Sequence, residues 1–134
     1  MSLPPLAGHA ETRELLGRSH RAGTLPQSIL LHGPRGVGKE RLGLWLAQLI
    51  VCEADGTEPC GRCSPCLLTL RLEHPDVHWF FPLPRPSSSS ADKLKEKLED
   101  ARAEEIQAWR DNPFHQPTFD KAPAHFVAAI LSLN

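Results

Sequence analysis

The sequence has no excess of either charge, no apolar run of membrane length, no internal repeat and no recognisable nucleophile–base pair. Its formal net charge is −1, with 15 basic and 16 acidic side chains over 134 residues, so no global basic field advertises nucleic acid. No hydrophobic stretch approaches the roughly 20 residues that a bilayer requires. Met1-Ser2-Leu3-Pro4-Pro5 offers no charged and apolar leader, and its first three residues read equally well as an appended scar; we expect no secretory signal. His9, His20, His115 and His125 are each isolated in sequence and read as surface or helix-end residues. These absences exclude a membrane span and a protein held to DNA by overall charge. They lead us to expect a cytoplasmic location.

What is present begins with a glycine-rich turn. A short apolar run over residues 28–32 leads into Gly33-Pro34-Arg35-Gly36-Val37-Gly38-Lys39-Glu40. Two glycines five apart followed by lysine is the spacing of a P-loop. Glycines let the backbone wrap through φ angles that other residues resist, and the wrapped N–H groups converge on a phosphate. The positive end of the next helix adds to that field, and Lys39 would meet the outer phosphates. One position departs from the pattern. A working P-loop continues with serine or threonine, whose hydroxyl binds Mg2+, and this chain has Glu40. The fold signal is therefore intact while the signal for ATP and Mg2+ is damaged. A loop kept only as a turn is the competing reading.

Around that turn the spacing predicts α/β organisation. Residues 11–22 read as a helix with Leu15 and Leu16 as its apolar contacts, a solvated basic side of Arg13, Arg18 and Arg21, and Gly23 as its stop. The run at 28–32 reads as a buried strand. After the turn, Leu42, Trp45, Leu46, Leu49 and Ile50 recur at helical spacing and give one apolar face to lay on a sheet. Gly43 costs this helix a little. Residues 67–72 read as a short helix broken at His74-Pro75. Residues 77–81 read as a second strand, with Trp79, Phe80 and Phe81 as core candidates.

Between these elements lie all four cysteines of the chain, Cys52, Cys60, Cys63 and Cys66. With no leader, a reducing cytosol favours metal over disulfides. Two overlapping C-x-x-C pairs, with Cys52 from the end of the preceding helix, make a closed tetrahedral thiolate set for Zn2+. Such a site is structural, because no coordination position stays open for water. A redox C-x-x-C would not need the other two cysteines. His74 and His78 are not required as ligands.

The composition shifts at Pro82. Prolines and a run of serines read as a linker, residues 91–109 as a charged surface helix with a thin stripe of Leu94, Leu98 and Ala101, and Asn112-Pro113 as its end. A final helix starts near Pro123, with Phe126, Val127, Ile130 and Leu131 on one side. We take 84–123 as a mobile linker and charged-helix insertion, 52–66 as an inserted zinc module, and 1–134 as an incomplete domain cut within its last helix.

The order of these motifs resembles the start of the AAA+ clamp-loader subunits of bacterial DNA polymerase III. Leu6-Ala7-Gly8-His9, a helix, Leu25 through Lys39, a four-cysteine module directly after the P-loop helix, and His74-Pro75-Asp76 before a strand carry the resemblance. It covers roughly residues 3–82. It implies an AAA+ P-loop fold, with parallel strands flanked by helices, structural Zn2+, and a bacterial cytoplasmic protein of DNA replication. The gamma/tau type of the family carries Lys-Thr and hydrolyses ATP. The delta-prime type keeps the fold with a degraded loop and does not drive hydrolysis, and Glu40 points to it. The resemblance then implies a non-hydrolysing scaffold within the DNA polymerase III holoenzyme, partnered by gamma/tau and delta, acting on the sliding clamp and primed DNA through the assembled ring. The delta-prime Ser-Arg-Cys finger is not in this sequence, and the insertion from about residue 85 to 123 has no counterpart in the family pattern.

Two alternatives stay open: a gamma/tau-type motor, which the residue after Lys39 disfavours, and an unrelated P-loop enzyme such as a small kinase with a zinc-stapled lid. The latter would need an acidic Mg2+ ligand, for which Asp76 is the nearest candidate. Two strands alone leave an open sheet edge and an uncovered face, which self-association hides. We expect a dimer or an exchange of the last helix; a monomer by light scattering at high concentration would count against it.

Overall fold

A computed structural model of the chain describes residues 3–83 and 90–116. It divides into two units, one within residues 2–78 and one from Trp79 onward. Four helices are described: α1 (Ala10–Arg21), α2 (Lys39–Val51), α3 (Ser64–Leu70) and α4 (Ala91–Asp111).

The first unit is built on α2. Leu42, Trp45, Leu46 and Leu49 pack with Leu16 of α1 into one buried cluster, with Leu6, Leu25 and Leu31 against it. The helical spacing had placed Ile50 and Leu15 in these faces too, but both lie outward, at 51% and 58% exposure. The opposite deviation occurs at Leu44 and Gln48, one turn apart and both buried. So α2 is covered on more than its apolar stripe, because α3 and the cysteine loop occupy a second side. Helix α1 stops as its glycine predicts. Gly23 takes φ 70, its N–H donates to His20 O, and Thr24 N–H donates to Ser19 O. This pair of bonds satisfies carbonyls that the helix end leaves open. Helix α3 starts three residues before the expected bound, with Pro65 in its first turn, where a missing N–H costs nothing. It ends where Leu72 turns left-handed at φ 59.

The segment before α1 is held by all three helices of its unit. Leu3 N–H donates to Leu70 O at 2.9 Å, Arg13 Nη1 to Leu6 O at 3.3 Å, and the Arg41 guanidinium to Pro4 O. Burial lowers the pKa of Arg41 from its ordinary value.

Among the described residues there is no β-strand, so the expected parallel sheet is not seen. Residues 28–32 and 77–81 carry no regular secondary structure. The physical reason is the nature of a parallel strand, which draws every hydrogen bond from a neighbouring strand, and among the described residues neither run has one. Leu30 is accordingly 86% exposed and Ile29 37%, while Leu31 packs on the helical core. Phe80, expected in a core, is 53% exposed.

In the second unit α4 buries none of its residues, in keeping with a charged surface helix. Trp79 and Trp109 meet edge to face, with ring centroids 6.0 Å apart, and Arg102 donates to Trp79 O at 3.4 Å. His115 Nε2 lies 2.7 Å from Glu105 Oε1. Residues 84–89 and the expected last helix near Pro123 lie outside the described residues. Among the described residues, no helix is long and apolar enough to cross a membrane.

Leu49, 1% exposed at the centre of the cluster, should cost about 2–5 kcal/mol as Leu49→Ala. Leu15→Ala should stay within about 0.5 kcal/mol. Denaturant unfolding followed by circular dichroism measures both.

Candidate metal centre and glycine-rich loop

Helix α2 carries one candidate site at each end. At its C-terminal end the chain leaves the helix at Cys52, whose backbone is extended. It loops through residues 53–59, turns at Gly61 with φ 68, and re-enters a helix at Cys63, which precedes α3. Cys66 then points back from the first turn of α3. The two C-x-x-C spacings are thus a turn followed by a helical turn, and both bring sulfurs to one place. The ligand atoms of Cys52, Cys60, Cys63 and Cys66 all lie within 4.8 Å of one another. The Cys60 and Cys66 sulfurs are 3.9 Å apart. Four thiolates at tetrahedral Zn–S distances sit about 3.8 Å from each other, so the donor set fits a zinc ion without large movement. The four cysteines are free thiols.

The surroundings favour thiolate at one side of the cluster and thiol at the other. Ala54 N–H and Cys60 N–H donate to Cys52 Sγ, and Cys63 N–H donates to Cys60 Sγ, each at 3.4 Å. The backbone amides of Arg62 and Cys63, with smaller help from neighbouring cysteines, bring Cys60 down to about 6. Burial acts the other way on Cys66 and pushes its thiol up. A divalent cation held there would supply the charge that lets the buried sulfur ionise with the rest. The backbone of Cys66 is fixed by Gln48, whose Nε2 donates to Cys66 O at 3.2 Å. The thiol itself faces Gln48 O at 4.0 Å. Gln48 sits off the apolar stripe of α2, and only its burial as a polar residue marks it; spacing gave no sign of this role.

At the N-terminal end of α2 the glycine-rich loop wraps as its composition predicts. Gly33, Gly36 and Gly38 take φ 152, 81 and 94, all in the region that favours glycine. Val37 N–H closes the turn on Pro34 O at 3.4 Å. Gly38 caps α2, and Glu40 lies in its first turn. Lys39 does not reach outward: its Nζ donates to Gly33 O at 3.0 Å and to Pro34 O at 2.8 Å. Pro34, Arg35 and Val37 are exposed around it. His9, which reads from the sequence as a surface or helix-end residue, does cap α1 and stands beside the loop with Nε2 2.7 Å from Val37 O. His74 accepts the Asp76 N–H on Nδ1 and takes no part in the cysteine cluster.

In metal-free protein, iodoacetamide should modify Cys60 first. Its rate should rise as pH passes upward through about 6, where the thiolate fraction grows, while Cys66 stays largely unmodified near neutral pH. Mass spectrometry of the labelled peptides reads this directly, and equal labelling of the two would contradict the electrostatics described.

The comparisons with known proteins point one way. A family model described as "DNA polymerase III, delta subunit" matches residues 8–117. The chain is similar to DNA polymerase III subunit delta' of Haemophilus influenzae, at 41% identity over 56 residues, which is 42% of this chain and 17% of that protein. It is similar to the subunit of that name from Yersinia pestis, at 34% over 83 residues, covering 61% of this chain and 24% of the relative. The Bacillus subtilis subunit delta' matches at 35% over 65 residues, 48% of this chain and 20% of its own length. The chain therefore spans about a fifth of the length of the curated relatives it matches. No solved structure gives a significant match. With residues 8–117 inside one family model and both the loop and the cysteine cluster within that span, this chain belongs to the DNA polymerase III delta-subunit family.

Proposed function

We propose that this chain is the N-terminal part of a delta-prime-type clamp-loader subunit. In this reading it is a non-hydrolysing scaffold that helps load the sliding clamp onto primed DNA within the bacterial cytoplasm. The four relatives named DNA polymerase III subunit delta' support the class. Its partners are then gamma/tau-type and delta-type subunits, with clamp and DNA met through the assembled ring. Residues 28–32 become a strand of the family's parallel sheet when neighbouring strands stand beside them. The exposure of Leu30 and Ile29 supports that reading, since a solvated apolar run beside a packed core lacks its natural cover.

One observation favours scaffold over motor: the lysine that a triphosphate would meet is already held within the loop, beside an acidic helix start. Lys39 is held by two loop carbonyls, and the positive end of α2 has Glu40 in its first turn, where a carboxylate complements the helix dipole. A nucleotide has to break the first arrangement and tolerate the second. The residues that would touch it are Gly33, Pro34, Arg35, Gly36, Val37, Gly38, Lys39 and Glu40. At the other end of α2, Cys52, Cys60, Cys63 and Cys66 hold Zn2+ in a purely structural role. It staples a loop with little apolar content, and no coordination position remains for chemistry.

Calorimetric titration with ATP and Mg2+ tests the reading. The native chain should show weak binding or none. Glu40→Thr should bind at least about tenfold more tightly, a change of about 1.4 kcal/mol, because it restores the hydroxyl and removes a negative charge. Tight Mg2+-dependent binding with Glu40 in place would move the weight to the motor. Failure to co-purify with gamma/tau-type and delta-type subunits would remove the scaffold role.

A further inference from the structure

The metal module and the glycine-rich loop sit at opposite ends of α2, yet both also touch α1. At the module end, Gly17 is buried against the loop between Cys52 and Cys60. A Cβ at position 17 would stand 2.1 Å from the Thr57 carbonyl oxygen, far inside any van der Waals contact, so only glycine permits this approach. Four residues earlier on the same helix face, Arg13 reaches Glu58 at 3.8 Å. Arg13 also ties down the approach segment through Leu6 O, and its own N–H donates to His9 O. At the other end, His9 caps α1 in a left-handed conformation, φ 53. An N–H on its Nε2 donates to Val37 O. Gly38 passes so close that a Cβ there would lie 3.3 Å from the same nitrogen.

Resting on the zinc reading above, we infer that the metal-bound module clamps α1, and that α1 passes this hold through His9 to the glycine-rich loop. Gly17, Arg13 and His9 are the positioning residues. The physical basis is how little else holds α1. Leu16 is its one side chain in the buried cluster, and Leu15 faces solvent. A helix with so few buried apolar contacts belongs to the low-stability end of a structure, unless something rigid leans on it. The loop that leans on it, Glu53-Ala54-Asp55-Gly56-Thr57-Glu58-Pro59, has almost no apolar side chain. Its shape comes from its ends, Cys52 and Cys60, and from the amides of Ala54 and Cys60, which both point at the Cys52 sulfur. Removing the ion returns closure entropy to that loop. Thr57 then loses its fixed place against Gly17, and Glu58 loses its place near Arg13.

Amide hydrogen exchange on the whole chain, with Zn2+ alone as the probe and a chelator to remove it, tests the inference. Metal content is measured first, and one zinc per chain is expected. Chelation should raise exchange about tenfold or more in α1 and at Val37 and Gly38. Gly17→Ala, with zinc retained, should loosen α1 and weaken zinc about tenfold in competition with a chromophoric chelator, the usual order for a group supporting a metal ligand. His9→Ala should open residues 36–38 alone, with zinc affinity and α1 unchanged. Exchange that rises only within 52–66 on chelation overturns the inference while leaving the zinc site standing. An unchanged loop in His9→Ala overturns the second joint. A chain that binds no zinc removes the metal reading and this inference together. Should chelation melt the whole chain, Arg13→Gln with zinc retained decides: a looser α1 supports the clamp, and an unaltered one overturns it.

Discussion

Four sulfur atoms gathered within 4.8 Å set the terms for the first unit of this molecule. A hydrophobic core does not pull such a group together, because the loop that carries it is charged and small-residued. Nor does the chain's own hydrogen bonding suffice, since weak N–H to sulfur contacts at 3.4 Å are directional but not strong. The arrangement fits a ligand shell, in which a cation would supply the attraction and the amides would tune it. Gln48 shows how the shell is tied to the rest. It is a buried amide on α2 bonded to the backbone of a cysteine on α3, so the helix that carries the glycine-rich loop also orients the cysteine cluster.

That single helix explains the economy of the unit. Its first residue, Lys39, belongs to the loop, and the residue after its last, Cys52, belongs to the cysteine cluster. Between them, one side carries the apolar cluster with Leu16 and another carries Gln48. A helix recruited on two sides and at both ends tolerates little rotation or shift in register. This accounts for the burial of Leu44, which lies outside the stripe that periodicity predicts.

How much of this was legible beforehand varied with the reach of the interaction. The loop glycines, the stop at Gly23 and the cysteine spacing are local chemistry. Each was readable because residues within a few positions decide the backbone. The faces of α1 and α2 were readable only in part, since periodicity names candidates while the neighbours choose among them; Leu15 and Ile50 face outward, with no cover among the described residues. The contacts of Gly17, Arg13 and His9 were not legible: Arg13 reads from the sequence as part of a solvated basic side, yet its side chain is only 23% exposed, and His9 reads only as a surface or helix-end residue. Their roles depend on residues 57, 58 and 37, brought near by the fold, and a glycine inside a helix or a lone histidine has no pattern to betray such a contact. The expected strands fell between these cases. Residues 28–32 have the right composition, but pairing is a property of two segments, and no segment among the described residues forms a strand with them. The expectation of self-association rests on the same missing pair.

The placement of the tryptophans carries a consequence of its own. The chain has three and no tyrosine, so its ultraviolet emission comes from indole alone. Trp45 lies in the buried cluster of the first unit, whereas Trp79 and Trp109 stack edge to face in the second. An isolated, desolvated indole and a coupled pair differ in emission maximum and in exciton signature in the near-ultraviolet dichroism. The two units therefore carry separate optical labels by nature. The melting of one can be followed without the other, and no dye or added residue is needed to ask whether they unfold together.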